Sequence, residues 1–389
     1  MPIAVYIFSI CTFAFGLSEF VVAGLVSAMA DGLHAKIEAA GTAIAAYAFG
    51  AAIGAPLITA LISHWTDRRI LALSMAVLAV GSVLMSLSTS LFALLAVRFV
   101  VGLAHGVFMA VASDAATKLV DSSRSGRALS VVWIGLTLAL ALGVPLGTYL
   151  GSIWSWRAVF ASVGALALAG LAGLLWFMPA RQAQTDHVGL RTRLGAIAHP
   201  QMLTTAGVGA LVSVATFCFF TFISPFLLTI AGADVQWLSA AMLLFGALSI
   251  AGNLLGGYLV DAMDADRAGL LALAALAANL SGLYVFRHNA MAVVALAGVL
   301  GLLFFCIVTM LTLRLLKLAQ RYVPQCTAVA AGLNIASFNL GTALGGGLGS
   351  LTIAWAGLAF LPAIGAGAAL AAMGALWLQS AGLRTRQPA

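Results

Sequence analysis

Charge is what this chain has least of. Asp, Glu, Lys and Arg make up 7% of its 389 residues, against about a quarter in an average soluble domain. With 63% hydrophobic residues, the chain cannot clothe a water-facing surface. A soluble globule is excluded, and an all-α protein spanning the membrane many times is expected. Other absences narrow the chemistry. No Gly-Lys dipeptide occurs, so there is no Walker A phosphate loop, and any pumping must draw on an ion gradient rather than on ATP. The cysteines (Cys11, Cys218, Cys306, Cys326) all lie in apolar blocks without a CxxC, and read as small buried hydrophobes, not disulfides or metal ligands. No two histidines stand three or four apart, which removes the usual helical metal pair. With no GxSxG elbow either, the sequence predicts neither an enzyme nor a cofactor. The net charge of +7 is spread thinly between apolar blocks. That pattern sets membrane topology and is not a nucleic-acid footprint.

What is present is a succession of apolar blocks, each about the 20 residues a bilayer span requires. Breaks rich in charge or turn residues divide them into twelve predicted spans: 4–30, 41–62, 71–88, 91–117, 128–150, 158–178, 202–230, 237–260, 268–286, 291–316, 326–350 and 357–378. The break at 179–201 is the most polar stretch of the chain and reads as a linker between six-span units at 1–178 and 202–389. Placing the N-terminus in the cytoplasm puts 14 Lys and Arg on the inside against 3 on the outside (Lys36, Arg157, Arg287), so both termini are expected there. The units also echo each other. Gly143, Gly147 and Gly151 recur as Gly341, Gly345 and Gly349, and Gly54 to Arg69 recurs as Gly252 to Arg267, both at an offset of 198 (341 − 143 and 252 − 54). One offset in two separate places indicates duplication of a six-helix unit.

These features resemble the major facilitator superfamily. "LLAVRFVVGLAHG" (94–106) is similar to the Arg-and-Gly motif in span 4 of its twelve-span drug/proton antiporters, and "LALGVPLGTYLG" (140–151) to their span-5 motif. "SEFVVAGL" (18–25), the "AHG" at 104–106 and "SWRAVF" (155–160) look most like the arabinose and sugar-efflux permease branch. The resemblance implies a central cavity lined by spans 1 and 4, and alternating access in a bacterial inner membrane. One departure stands out: the loop after span 2 has Ser63 where the family has Asp, whereas the second half keeps an acid, Asp261, at the matching place. Arg68, Arg69, Asp114 and Asp261 are the conformational candidates around these loops.

Ionisable groups deep in a span cost several kcal/mol unless paired or wetted, and so mark function. Glu19, Arg98 and the titratable His105 qualify. At about 1.5 Å per residue, Glu19 lies roughly 22 Å above the inner face and Arg98 roughly 20 Å, so the two are level and expected to meet. Arg98, Gly102, His105 and Met109 share one helix face, expected to form a cavity wall. Burial favours a protonated carboxyl and a neighbouring guanidinium favours the carboxylate, a balance suited to loading and releasing a proton. The alternative is an Arg98–Glu19 ion pair that only ties two helices. At the offset of 198, Phe217 and Leu296 replace Glu19 and Arg98. The second half offers Phe217 and the amides Asn334 and Asn339, which join Glu19, Arg98 and His105 as candidate substrate contacts. The stripe Phe219, Phe222, Phe226 reads as packing before ligand box. Asp114 and Lys118, four apart, read as an interfacial pair, and Arg314 and Lys317 as snorkelling anchors. Gly143, Pro145 and Gly147 form a kinked, close-packing helix suited to rocking between two states.

The sequence thus predicts a monomeric proton-coupled exporter of sugars or related small polar solutes, with small molecules, protons and the bilayer as its partners. A multidrug/proton antiporter and a passive uniporter are the alternatives.

Overall fold

The computed structural model describes residues 1–62, 64–121, 124–179, 199–322 and 327–384. Among them there is no strand. The main helices are α1 (Ile3–Gly32), α2 (Ile37–Ile53), α3 (Asp67–Leu87), α4 (Leu91–Lys118), α5 (Ser125–Leu138) and α6 (Trp156–Phe177). They are followed by α7 (Pro200–Phe220), α8 (Val235–Ala262), α9 (Ala265–Val285), α10 (Ala290–Tyr322), α11 (Thr327–Ala356) and α12 (Leu361–Arg384). Ten stretches among the described residues are long and apolar enough to cross a membrane. The predicted linker lies almost wholly outside the described residues, as do Ser63 and Cys326.

The few polar residues are spent where helices begin. Thr66, Ser155, Asp234 and Asp264 each accept a hydrogen bond from a main-chain N–H two or three residues on, capping α3, α6, α8 and α9. Two arginines seal helix ends from a distance. Arg68 donates to the carbonyl of Leu175 near the end of α6. Arg157 lies over Trp156 and donates to the carbonyls of Ser88 (3.1 Å) and Gly32 (3.5 Å). The stretch Gly126–Phe177 meets the span criterion as one piece of 52 residues, but a helix that long would measure about 78 Å. It is interrupted by π-helical turns at Ala139–Gly143 and Gly151–Ser155, and Ser155 is extended (φ −166°, ψ 126°).

The sequence repeat reappears as a repeat of contacts. Side chains added at Gly143, Gly147 and Gly151 would strike Phe13, Val21 and Leu25 of α1. At Gly341, Gly345 and Gly349 they would strike the main chain of α7 at Ala210, Val214 and Cys218. Gly102 of α4 lies against the Tyr47 carbonyl of α2, and Gly301 of α10 against the Phe245 carbonyl of α8. The offsets are 198 (245 − 47) and 199 (301 − 102), so the second half carries one extra residue between α8 and α10. Close approach, which only glycine permits here, builds the same helix pairs twice. Between the halves, α2 packs on α11, and the segment after α5 packs on α8. There Gly246 abuts the main chain of Leu140, and the Ser239 hydroxyl donates to the Pro145 carbonyl at 2.9 Å.

Candidate functional site

The candidate site lies where α1, α2 and α4 meet. Glu19 is 9% exposed, His105 5% and Arg98 wholly buried. The level pair is Glu19 with His105, not Glu19 with Arg98: Oε2 of Glu19 stands 3.6 Å from Nδ1 of His105, an ion-pair rather than hydrogen-bond separation. The other ring nitrogen, Nε2, is buried without a hydrogen-bond partner. The imidazole stacks on Phe15 (centroids 5.0 Å apart, 8° between planes) and tilts against Tyr47 at 5.5 Å. Phe15 and Glu19 are four apart in α1, so one helix face supplies both the aromatic floor and the acid.

Arg98 turns to the main chain. Its Nε donates to the Ala43 carbonyl (3.0 Å), Nη1 to Ser18 (2.6 Å) and Nη2 to Glu19 (3.5 Å), and the guanidinium lies 4.3 Å from the Tyr47 ring centroid. The geometry of α1 explains the division. In a helix the carbonyls point toward the C-terminus, whereas the side chains tilt toward the N-terminus. Arg98 approaches from the Gly32 end and meets the Ser18 and Glu19 carbonyls. His105, two turns further along α4, meets the Glu19 carboxyl. Arg98 and Glu19 do meet, as expected, but through the main chain of α1, and the alternative of a side-chain Arg98–Glu19 ion pair is replaced by this clasp. The face Arg98–Gly102–His105–Met109 is likewise packed against α1 and α2 instead of forming an open wall, because Gly102 sits on the Tyr47 carbonyl and Met109 is buried.

Other candidates fall elsewhere. Phe217 is buried, 6.3 Å from Phe20 of α1 and edge-on to Phe304 of α10 at 5.6 Å. Asn334 donates to the Thr312 hydroxyl at 2.9 Å, and Thr309 donates to Asn253 at 2.8 Å, which ties α8, α10 and α11 together by polar rungs. Asn339 donates to its own helix at Ile335. In the stripe, Phe219 meets Phe226 edge-on and Phe222 is fully buried, consistent with packing. Asp114 and Lys118 form the i, i+4 pair at 2.5 Å. Arg68 binds the Leu175 carbonyl and not Asp114, Arg69 gives its main-chain N–H to the Thr66 cap, and Asp261 is exposed at the end of α8. Arg314 is no snorkelling anchor, because it is paired with Asp266 of α9. Gly143 closes a π-turn and Pro145 follows it, so the kinked segment lies against both α1 and α8. A cavity of about 360 Å³ lined by Met1, Pro2, Lys118–Asp121 and Arg124 contains none of the Glu19 group. Sequence reasoning missed Tyr47 and Phe15, although a lone tyrosine in mid-span was a usable signal.

Residues 8–329 match the family model of the Major Facilitator Superfamily. The chain is 36% identical over 350 residues to the chloramphenicol resistance protein of Streptomyces lividans, covering 89% of this chain and 88% of that one. It is 32% identical over 360 residues to the inner membrane transport protein YdhP of Escherichia coli O157:H7 (92% and 91% covered). It is 26% identical over 379 residues to a probable sugar efflux transporter of Helicobacter pylori (96% and 94%). Its fold matches the crystal structure of the nucleoside transporter NupG, with a TM-score of 0.78 at 13% identity over 97% of this chain and 99% of that one. A helical fold with many membrane-crossing stretches, a family model over most of the chain and full-length transporter relatives identify this chain as a multi-pass membrane transporter of the Major Facilitator Superfamily, not an enzyme.

Proposed function

We propose that this protein is a proton-coupled exporter that works by alternating access. Its spans number twelve, with Gly126–Phe177 counted as two and Thr327–Ala356 included. They form six-helix bundles at 1–178 and 202–389 joined by a cytoplasmic linker, 179–201, in a bacterial inner membrane with both termini inside. One observation carries the reading: a carboxyl group 13 residues from the Gly32 end of α1 (32 − 19), nearly enclosed, faces an imidazole with an unpartnered nitrogen. A group held this way in a membrane interior is expensive unless it serves transport. Protonation of Glu19 removes its charge, loosens its hold on His105 and so biases the rocking equilibrium. Arg98 keeps the main chain of α1 in place while that happens.

The substrate class this site fits is a lipophilic small molecule. An aromatic cluster (Phe20, Phe217, Phe304) begins at the residue that follows Glu19, while Asn334 is engaged with Thr312 of α10 and Asn339 with its own helix. The relative named for chloramphenicol resistance supports this class. Small polar solutes such as sugars are a second reading, supported by the sugar-efflux relative and by the half-buried Asn253–Thr309 and Thr312–Asn334 rungs. The test is flux in proteoliposomes with and without an imposed pH gradient, using chloramphenicol and arabinose as probes. Wild type is expected to transport one of them in proportion to the gradient, and Glu19→Gln to insert normally yet lose that dependence. Gradient-driven transport undiminished in Glu19→Gln sinks the coupling assignment, and flux indifferent to the gradient in wild type identifies a uniporter.

A further inference from the structure

At the Gly32 end of α1, several contacts converge on one point between the halves. Helix α7 stops at Phe220, and Phe222 takes a non-helical conformation (φ −112°, ψ 23°) before the chain turns again at Ile223–Pro225. The break delivers the Phe222 ring, fully buried, between α2 and α11. A side-chain carbon at Gly41 of α2 would land on that ring, and one at Gly349 of α11 would lie 2.8 Å from it. Two hydrogen bonds flank the ring. The Ser224 hydroxyl donates to the Ser27 hydroxyl of α1 at 3.1 Å, and Ser350 of α11 donates to the Glu38 carbonyl of α2 at 2.9 Å. The residues on α1, α2 and α11 lie within about two turns of a helix end at the same face of the protein, with Ser27 about 12 Å beyond Glu19 along α1.

The composition of this seam matters. Among the described residues it contains no ion pair, only an aromatic ring seated on two glycines and two neutral hydroxyl bonds. The glycines give the ring a smooth seat from which it can withdraw without rearranging neighbours, and neutral hydroxyl bonds are weak enough to break and re-form. A permanent seam between bundles needs no helix break to place one ring. A seam that opens gains from having its stopper on a short, hinged segment.

We infer that Phe222 is the stopper of a gate closing the Gly32 end of the transport path, with Ser27–Ser224 and Ser350–Glu38 as its latches. The inference rests on the alternating-access reading proposed above. The test uses the full chain with Cys11, Cys218, Cys306 and Cys326 replaced by alanine and Ser27→Cys and Ser224→Cys introduced. Oxidation is expected to consume both thiols and abolish gradient-driven export of chloramphenicol or arabinose, whichever wild type carries, and reductant is expected to restore it. Linked protein that transports at the unlinked rate, or thiols that stay free under oxidant, would overturn the gate. A second measurement does not depend on transport. In a chain carrying Ser27→Cys alone, adding Phe222→Ala should raise labelling by a membrane-impermeant maleimide from that face, and no increase overturns the stopper. If unlinked protein exports neither probe but labelling still rises, the substrate assignment fails and the stopper stands.

Discussion

The two halves of this protein share a scaffold and differ in chemistry at equivalent points. Offsets of 198 for the first and second helices of each half and 199 for the fourth superpose Tyr47 on Phe245, Gly102 on Gly301, Glu19 on Phe217 and His105 on Phe304. In the first half the pair is an acid 3.6 Å from an imidazole. In the second, two phenylalanines meet edge-on at 5.6 Å in the same relative place. Arg98 becomes Ala297. Helix packing is therefore indifferent to whether this position holds a proton-binding pair or an aromatic one. The glycine contacts fix the backbone, and chemistry is added to one half only.

The comparison can be broken most severely by placing charge in the apolar half. Phe217→Glu leaves a carboxyl facing Phe304 with no polar partner, at a cost of about 2.5–3.5 kcal/mol. The folded, monodisperse yield in detergent should fall steeply. Adding Phe304→His rebuilds the first-half pair and should recover part of that yield; no recovery would mean the halves are not equivalent at this point. A smaller effect is expected from the reverse exchange. His105→Phe removes the polar group facing Glu19, so the rate of gradient-driven transport should fall severalfold while the folded yield is kept. An undiminished rate would separate His105 from coupling. The smallest effect should come from Tyr47→Phe, which imitates Phe245. It deletes only a long hydrogen bond, 3.4 Å, from the Tyr47 hydroxyl to the Phe15 carbonyl. Thermal stability should fall by no more than about 1 kcal/mol, and a large loss would show that the hydroxyl also holds the Arg98 clasp.

Much of this architecture is written in the sequence because membrane helices obey length and apolarity alone, and the glycine repeat marks the pairs that touch. The three ionisable residues stood out for the same reason: apart from Asp114 near the end of 91–117, nothing else in their blocks is Asp, Glu, Lys, Arg or His. Their partnership was misassigned because depth was counted from opposite faces of the membrane. Measured from the shared end, Glu19 is 13 residues before Gly32 and His105 is 14 after Leu91 (105 − 91), which makes them level. Even correct depth leaves azimuth undetermined, and an arginine side chain can reach carbonyls a turn or more away. The Arg314–Asp266 pair stayed hidden for a related reason, because interfacial charges become partners only once α9 and α10 are placed side by side. The Phe222 seat was invisible for lack of any periodic signal, since it depends on a break in α7.

The Arg98 clasp also bears on how the protein is made. All three of its acceptors belong to α1 and α2, which leave the ribosome before α4 does. A fourth helix entering lipid alone would carry an unsatisfied guanidinium through hydrocarbon. One entering beside the first two finds its carbonyl acceptors already in position. The same contacts that hold the main chain of α1 at Glu19 thus favour insertion of α4 beside α1 and α2, as the closing member of a three-helix group.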